Sequence, residues 1–184
     1  MDPNEGTISY FVDADNRIVK VVGPWDRFAL ENDGLGACVE AIVGKPLDQF
    51  IAGDVSRMFV STMLMSARTL GREVYRPYRC DSGHLKRFME MTIIPQDDGL
   101  LEVRHRTLHT EPLRTRQFVP TQRRVSAGLP RTKRCSMCNK VHVESEWMEI
   151  EDAMHADLLT ADRALGPWIF GVCPNCLERN GAVL

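Results

Sequence analysis

The sequence has no run approaching the ~20 apolar residues that a membrane helix requires. Its first residues, Met1-Asp2-Pro3-Asn4-Glu5, are acidic and include neither the basic nor the apolar part of a secretory signal. These absences predict a soluble, cytoplasmic protein with no membrane partner, in a compartment that keeps thiols reduced. Catalytic signatures are missing too. There is no glycine-rich phosphate loop, no nucleophile elbow and no HExxH helix, so no enzymatic activity is expected. No histidine-kinase or cyclase output and no helix-turn-helix is visible. Aromatic residues make up only 7% of the chain, and they form no array on which bases would stack.

An excess of one charge is lacking over the whole chain, whose 184 residues carry a formal net charge of −2. Locally the balance breaks. From Arg104 to Arg134 the chain carries Arg106, Arg114, Arg116, Arg123, Arg124, Arg131 and Lys133, against the single acid Glu111. The plain account is a solvated basic linker drawn to acidic flanks. The sharper account is an arm for phosphate, nucleic acid or an acidic partner. Without stacking aromatics, nucleic acid is not the expected partner.

What the chain does have is six cysteines, four of them in two pairs: Cys135-Ser136-Met137-Cys138 and Cys173-Pro174-Asn175-Cys176. A CxxC turn folds two thiolates onto one side of a tight loop. Two such loops face to face supply the four sulfurs of a closed, tetrahedral Zn2+ site. Asn139 tolerates the positive φ that turns backbone amides toward sulfur, and Pro174 pre-sets φ in the second turn. Cys135, Cys138, Cys173 and Cys176 are therefore the predicted ligands of a structural zinc ion. His142 and His155 are read as bystanders. A permanent disulfide is disfavoured without a secretory signal; a redox-switched site, in which zinc loss and disulfide formation alternate, stays open. The gap between the pairs exceeds the about 15–20 residues of common zinc ribbons. Ser145 is placed to cap a helix there, with Glu146 and Glu149 in its first turn. Trp147, Ile150, Met154, Leu158, Ala161 and Leu165 follow at helical spacing up to Gly166-Pro167. A small helical CxxC/CxxC metal-clip subdomain over 135–184 is expected.

Upstream, the pattern is that of an α+β domain over residues 1–108, with 109–134 as the basic linker. Ile8, Tyr10 and Val12 share one face of a strand from Thr7 to Asp13. Asp13-Ala14-Asp15-Asn16 turns into a second strand, Arg17 to Val22. Gly23-Pro24 ends the hairpin, and Trp25 to Asn32 reads as a short helix with Trp25, Phe28 and Ala29 inward. Asp54 is placed to cap the longest helix, which runs to about Leu70. Its predicted inner stripe is Val55, Met58, Phe59, Thr62, Met63, Ser66 and Leu70. Three strands follow, Glu73 to Cys80, Leu85 to Ile94 and Leu100 to Leu108, with turns at Asp81-Ser82-Gly83 and Gln96-Asp97-Asp98-Gly99. Pro77 marks the first of these as a sheet edge.

This order, with Val43-Gly44-Lys45-Pro46-Leu47 as a turn common in PAS domains, resembles the PAS-type sensory fold. That fold is a five-stranded antiparallel sheet with helices on one side. The whole chain resembles a family of short, stand-alone bacterial PAS-like proteins with a C-terminal zinc-binding tail. The residues that carry the resemblance are the helix from Trp25-Asp26-Arg27-Phe28-Ala29 to Asn32, the tripeptide Arg79-Cys80-Asp81, the first CxxC, Trp147 in the helix after it, and the run from Gly171 through Cys173-Pro174 to Cys176. The family's usual His before that glycine is Phe170 here, and Gly23-Pro24 stands where an Asn often precedes the Trp helix. The resemblance implies a sensory or adaptor module that works through contacts with a protein partner or a second copy. A PAS cavity for a small-molecule ligand is also implied, but no residue names that ligand. Cys38 lacks the Asn-Cys-Arg-Phe surroundings of a flavin photosensor, residues 54–70 hold no histidine for haem, and Asn139 after Cys138 breaks the CxxCH pattern.

Of the remaining titratable residues, His105 is read as a surface residue near a strand end. His84 is assigned to a turn and His109 to the linker. Cys80 is read as a packed thiol beside an outward Arg79–Asp81 ion pair, with a thiol activated by Arg79 as the alternative. Two competing functions stay in play. One is a nucleic-acid or acidic-partner binder using the basic linker and zinc knuckles. The other is a thiol redox sensor using the CxxC pairs.

Overall fold

The structure is a computed structural model and describes residues 7–31, 34–82, 85–114, 131–160 and 168–181. Its larger sheet contains β1 (Thr7–Val12), β2 (Ile18–Val22), β3 (Val74–Arg79), β4 (Leu85–Pro95) and β5 (Leu101–Pro112), all antiparallel, in the order β2-β1-β5-β4-β3. The N-terminal hairpin is one edge, the last three strands form a meander, and β5 closes back onto β1. The chain between β2 and β3 carries α1 (Trp25–Glu31), α2 (Val39–Ile42) and the long α3 (Asp54–Leu70). This is the PAS-like arrangement expected from the sequence.

Period-two alternation explains the sheet's faces. Tyr10, Val12, Val74, Met91, Ile93, Leu101 and Val103 form a single core with Ile18, Ile42, Leu47, Met63, Leu64 and Ala67. The opposite face is polar, with ion pairs Arg104–Glu102 at 2.9 Å and Arg106–Glu90 at 3.1 Å. The first hairpin turns where expected. Asn16 adopts φ 57°, and the Asp13 carboxylate accepts the backbone N–H groups of Asp15 and Arg17.

Three local expectations change. The inner face of α3 is Met63, Leu64 and Ala67, with Phe59 and Val60 packed beside them, whereas Val55, Met58 and Leu70 face outward. The helix is not capped by Asp54. It follows Gly53, which has no side chain to cap it, and Asp54 pairs with Arg57 at 2.7 Å. Gly53 has φ 84°, and a Cβ there would lie 2.8 Å from the Cβ of Phe170, so the loop and the last strand touch through a glycine. Finally, β5 continues past Leu108. The register shifts at Phe88/Met89, after which His109 pairs with Phe88 and their rings stack at 4.2 Å. His109 is therefore a strand residue.

The second sheet has the order β8-β7-β6-β9, made of β6 (Thr132–Cys135), β7 (Val141–Val143), β8 (Glu146–Met148) and β9 (Trp168–Gly171). Two short helices accompany it, α4 (Ile150–His155) and α5 (Pro174–Gly181). The expected helix from Ser145 is replaced by a hairpin. Glu144 and Ser145 have φ 46° and 77°, the pair of positive values that a tight two-residue turn takes, and Trp147 lies in β8. Val141 and Val143 alternate with His142 on a strand, a pattern outweighed in the sequence by the longer helical spacing. The helix is confined to Ile150–His155, and Asp157, at φ 56°, ends it. Ala161 and Leu165 lie outside the described residues. Lys133 and Arg134, expected in the linker, belong to β6. No helix among the described residues is long and apolar enough to cross a membrane.

Candidate metal centre

Register brings the two cysteine pairs together. β6 and β9 run parallel with Cys135 opposite Gly171, so Cys173, two residues further on, arrives beside Cys135. The first knuckle closes with Asn139 N–H donating to the Cys135 carbonyl at 2.9 Å and Cys135 N–H to the Lys140 carbonyl at 2.8 Å. Asn139 takes the positive φ expected of it, 61°. The second knuckle is the start of α5, where Cys176 and Leu177 N–H groups both reach the Cys173 carbonyl at 3.0 Å. Cys173 N–H points at the Cys135 sulfur, 3.3 Å away.

The sulfurs of Cys135, Cys138, Cys173 and Cys176 all lie within 4.8 Å of one another. Cys135 and Cys173 are buried; Cys138 and Cys176 are half-buried. Such a set can hold a metal ion. The electrostatics also call for a cation. Hydrogen bonds from the Cys138 and Cys176 thiols, and from Cys173 N–H, hold the Cys135 thiol far below its ordinary pKa. Sharing that thiolate pushes Cys138 up to about 12 and Cys176 higher still. Without a cation, Cys138 and Cys176 hold their protons toward the Cys135 sulfur; a cation among the sulfurs would favour thiolates instead. His142 packs on Trp147, with ring centroids 5.1 Å apart, and neither it nor His155 belongs to the cluster.

The cluster is built against the PAS-like sheet. Arg79 N–H of the edge strand β3 donates to the Met137 carbonyl at 2.6 Å. The first knuckle thus covers an edge that would otherwise be open to pairing with another strand. Two residues back, Pro77 faces the same way, so its missing N–H costs the sheet nothing. The Ser56 and Ser136 hydroxyls are 2.5 Å apart. Phe59 of α3 and Tyr78 of β3 pack against Cys135, Met137 and Cys173. Around this contact runs an ionic network: Arg79 binds Asp81 at 2.5 Å and Glu149 at 2.7 Å, and Lys86 pairs with Glu151.

The network corrects the view of Arg79-Cys80-Asp81. The Arg79–Asp81 pair points inward, with side chains 7% and 0% exposed. Burial alone would lower the Arg79 pKa, but its bonds to Asp81 and Glu149 raise it on balance. Cys80 packs, as expected, and burial raises its pKa despite Arg87 beside it, so the thiol is not activated. His105 is also corrected. Its ring stacks on Tyr10 at 5.5 Å, meets Tyr78 edge-on at 5.6 Å, and its Nδ1 lies 2.8 Å from the Tyr78 hydroxyl. Burial lowers its pKa to about 4, so it is neutral at pH 7, and burial raises Tyr10 well above its usual value. The strand's alternation places His105 with Leu101 and Val103, a signal that pointed inward from the start. His84 lies outside the described residues, as do Arg116, Arg123 and Arg124.

No family model and no curated protein matches the chain. Two solved structures are similar over part of it. A domain of an HTR-like protein from Haloarcula marismortui is 17% identical, with a TM-score of 0.42, over 56% of this chain and 98% of that one. A sensory box sensor histidine kinase from Vibrio cholerae is 15% identical, with a TM-score of 0.40, over 56% of this chain and 82% of that one.

Proposed function

We propose that the chain is a PAS-like sensory or adaptor module of bacterial signalling whose four clustered cysteines hold one structural zinc ion. It acts by contact with a protein partner or a second copy rather than by catalysis. The zinc assignment follows from the donors. Zn–S bonds of about 2.3 Å put tetrahedral sulfurs about 3.8 Å apart, and the Cys138 and Cys173 sulfurs are 3.7 Å apart. When bound, zinc neutralises thiolate charge and clips the two knuckles together.

The sensory part of the proposal is carried by Tyr78. Its ring packs against the sulfur cluster, and its hydroxyl meets His105 in the core of the larger sheet. A ligand or partner that repacks the core around His105 displaces a wall of the metal unit, and the coupling is reciprocal. Native mass spectrometry, compared with the denatured mass, tests the reading. One zinc and nothing else is the result for a contact module; an added organic mass makes it a ligand sensor. A metal-free chain, lighter by two disulfides, overturns the zinc clip.

A thiol redox role is the second reading, favoured by the half-exposed Cys138 and Cys176 beside a surface cavity lined by Trp147 and Arg179. Rapid alkylation of both thiols in the native, metal-loaded protein would support it.

A further inference from the structure

Among the described residues, Arg76 is a buried cation with no carboxylate partner. It lies on β3 and is 7% exposed. Its guanidinium stands over the Phe59 ring, 5.8 Å from the centroid, and Nη1 donates to the Arg179 carbonyl at 3.2 Å. Its Nε is buried with no hydrogen-bond partner. The ion pairs among the described residues all use other cations. A buried charge in this state is unfavourable unless an anion lies near it.

The nearest groups that could supply one are the cysteine sulfurs. Arg76 lines a cavity of about 150 Å3 between β3 and the metal unit, together with Cys138, Cys176 and Arg179. Four thiolates around a divalent cation leave two negative charges in excess. Lys140, half-buried, lines a second cavity on the other side of Cys138 and Cys176, and the remaining nearby cations are engaged elsewhere or exposed. Arg79 serves Asp81 and Glu149, Arg134 lies over Trp168, and Arg179 is on the surface.

We infer that Arg76 is the counter-charge of the metal–thiolate centre, a positioning residue that makes metal retention and docking of the metal unit on β3 interdependent. The inference rests on the zinc reading above. With metal bound, the guanidinium and the thiolates neutralise each other across the small cavity. Without metal Arg76 no longer faces a charged metal–thiolate centre, and the contact between β3 and α5 weakens.

The test follows zinc transfer from the full chain to a chromogenic chelator in wild type, Arg76→Gln, Arg76→Lys and the outer-face control Arg104→Gln. Losing an outer-shell partner is expected to weaken zinc retention about 10- to 100-fold. Arg76→Lys keeps the charge and recovers most of the loss, and Arg104→Gln transfers zinc as wild type does. Thermal unfolding with and without metal separates this role from simple packing. Arg76→Gln should lower the midpoint more in the loaded protein than in the metal-free one. Equal lowering in both states, or unchanged zinc transfer, overturns the inference and leaves the zinc site standing. A wild-type chain that holds no zinc overturns both.

Discussion

The larger sheet and the metal unit reach order by different means. The sheet and its helices share one extended apolar core, from Tyr10 and Val12 through Leu64 to Val103. Among the described residues, the metal unit's apolar core is Val141, Val143, Ile150, Ala153 and Leu159, with the sulfur cluster as a second small centre. A core that small does not stabilise a unit unaided, and on the proposed zinc reading metal–sulfur bonds take its place. The join between the two combines an ionic network, Arg79, Asp81, Glu149, Lys86 and Glu151, with packing of Phe59 and Tyr78 on the cysteine cluster. The difference teaches that the first region folds on hydrophobic pattern and the second on ligand count.

The largest effect should come from breaking the metal unit. Structural zinc in finger peptides contributes roughly 10–16 kcal/mol of apparent binding free energy, which is also folding free energy. Cys135→Ser, or removal of metal by a strong chelator, is expected to abolish hydrogen-exchange protection in β6, β7 and β9. Protection in β1, β4 and β5 should persist. Loss of protection in both regions would mean that the sheet depends on the metal, and the contrast between the two regions would fail.

Next in size is the ionic join. Arg79→Ala removes three hydrogen bonds and leaves Asp81, 0% exposed, without its ion-pair partner. Removing one partner of a buried pair costs about 3–5 kcal/mol. Urea unfolding followed by Trp fluorescence should show the loss, and Arg79→Ala combined with Asp81→Asn should restore part of it. A double variant no better than the single one would mean that Asp81 is not the group left stranded.

The pH response isolates the sheet's own core. His105 has a folded pKa of about 4, below the ordinary value of about 6.5. The unfolded chain therefore binds the extra proton first. The stability from keeping His105 neutral is complete above about pH 6.5 and is lost as pH falls toward 4. The expected loss over that window is about 1–3 kcal/mol. His105→Gln should flatten that part of the profile. A profile of unchanged slope in the variant would assign the acid sensitivity to other groups, the metal ligands first among them.

The sequence made the sheet legible because alternation leaves few choices. Ile8, Tyr10 and Val12 can share one face only in a strand, and Pro77 is tolerated only at an edge. The four sulfurs were legible from spacing alone. The chain between them was not. Ile150 and Met154 do share a helix, and Trp147 falls in phase with them by coincidence, while the short Val141–Val143 strand and the turn at Glu144 and Ser145 leave only a three-residue trace. The partners Glu149, Lys86 and Ser56 were hidden as well, because each meets its contact across 30 or more positions, where no local pattern reaches.

The smallest predicted effect decides which face of α3 is inside. Val55, Met58 and Thr62 recur at helical spacing just as Phe59, Met63 and Ala67 do, so apolarity alone does not choose between the faces. Small residues do choose. Ser56 and Ala67 are buried, and Ser56 sits where the Ser136 hydroxyl approaches. Met58, 66% exposed, lies on the discarded face, and Met63, 6% exposed, on the chosen one. Met58→Ser should move the urea midpoint by no more than about 0.5 kcal/mol equivalent. Met63→Ala should cost about 2–5 kcal/mol. Both substitutions remove a methionine from one helix, so propensity differences stay small and burial sets the gap. If Met58→Ser proves as costly as Met63→Ala, the helix carries a second buried face, and the larger region would depend on a partner surface as the smaller one depends on its metal.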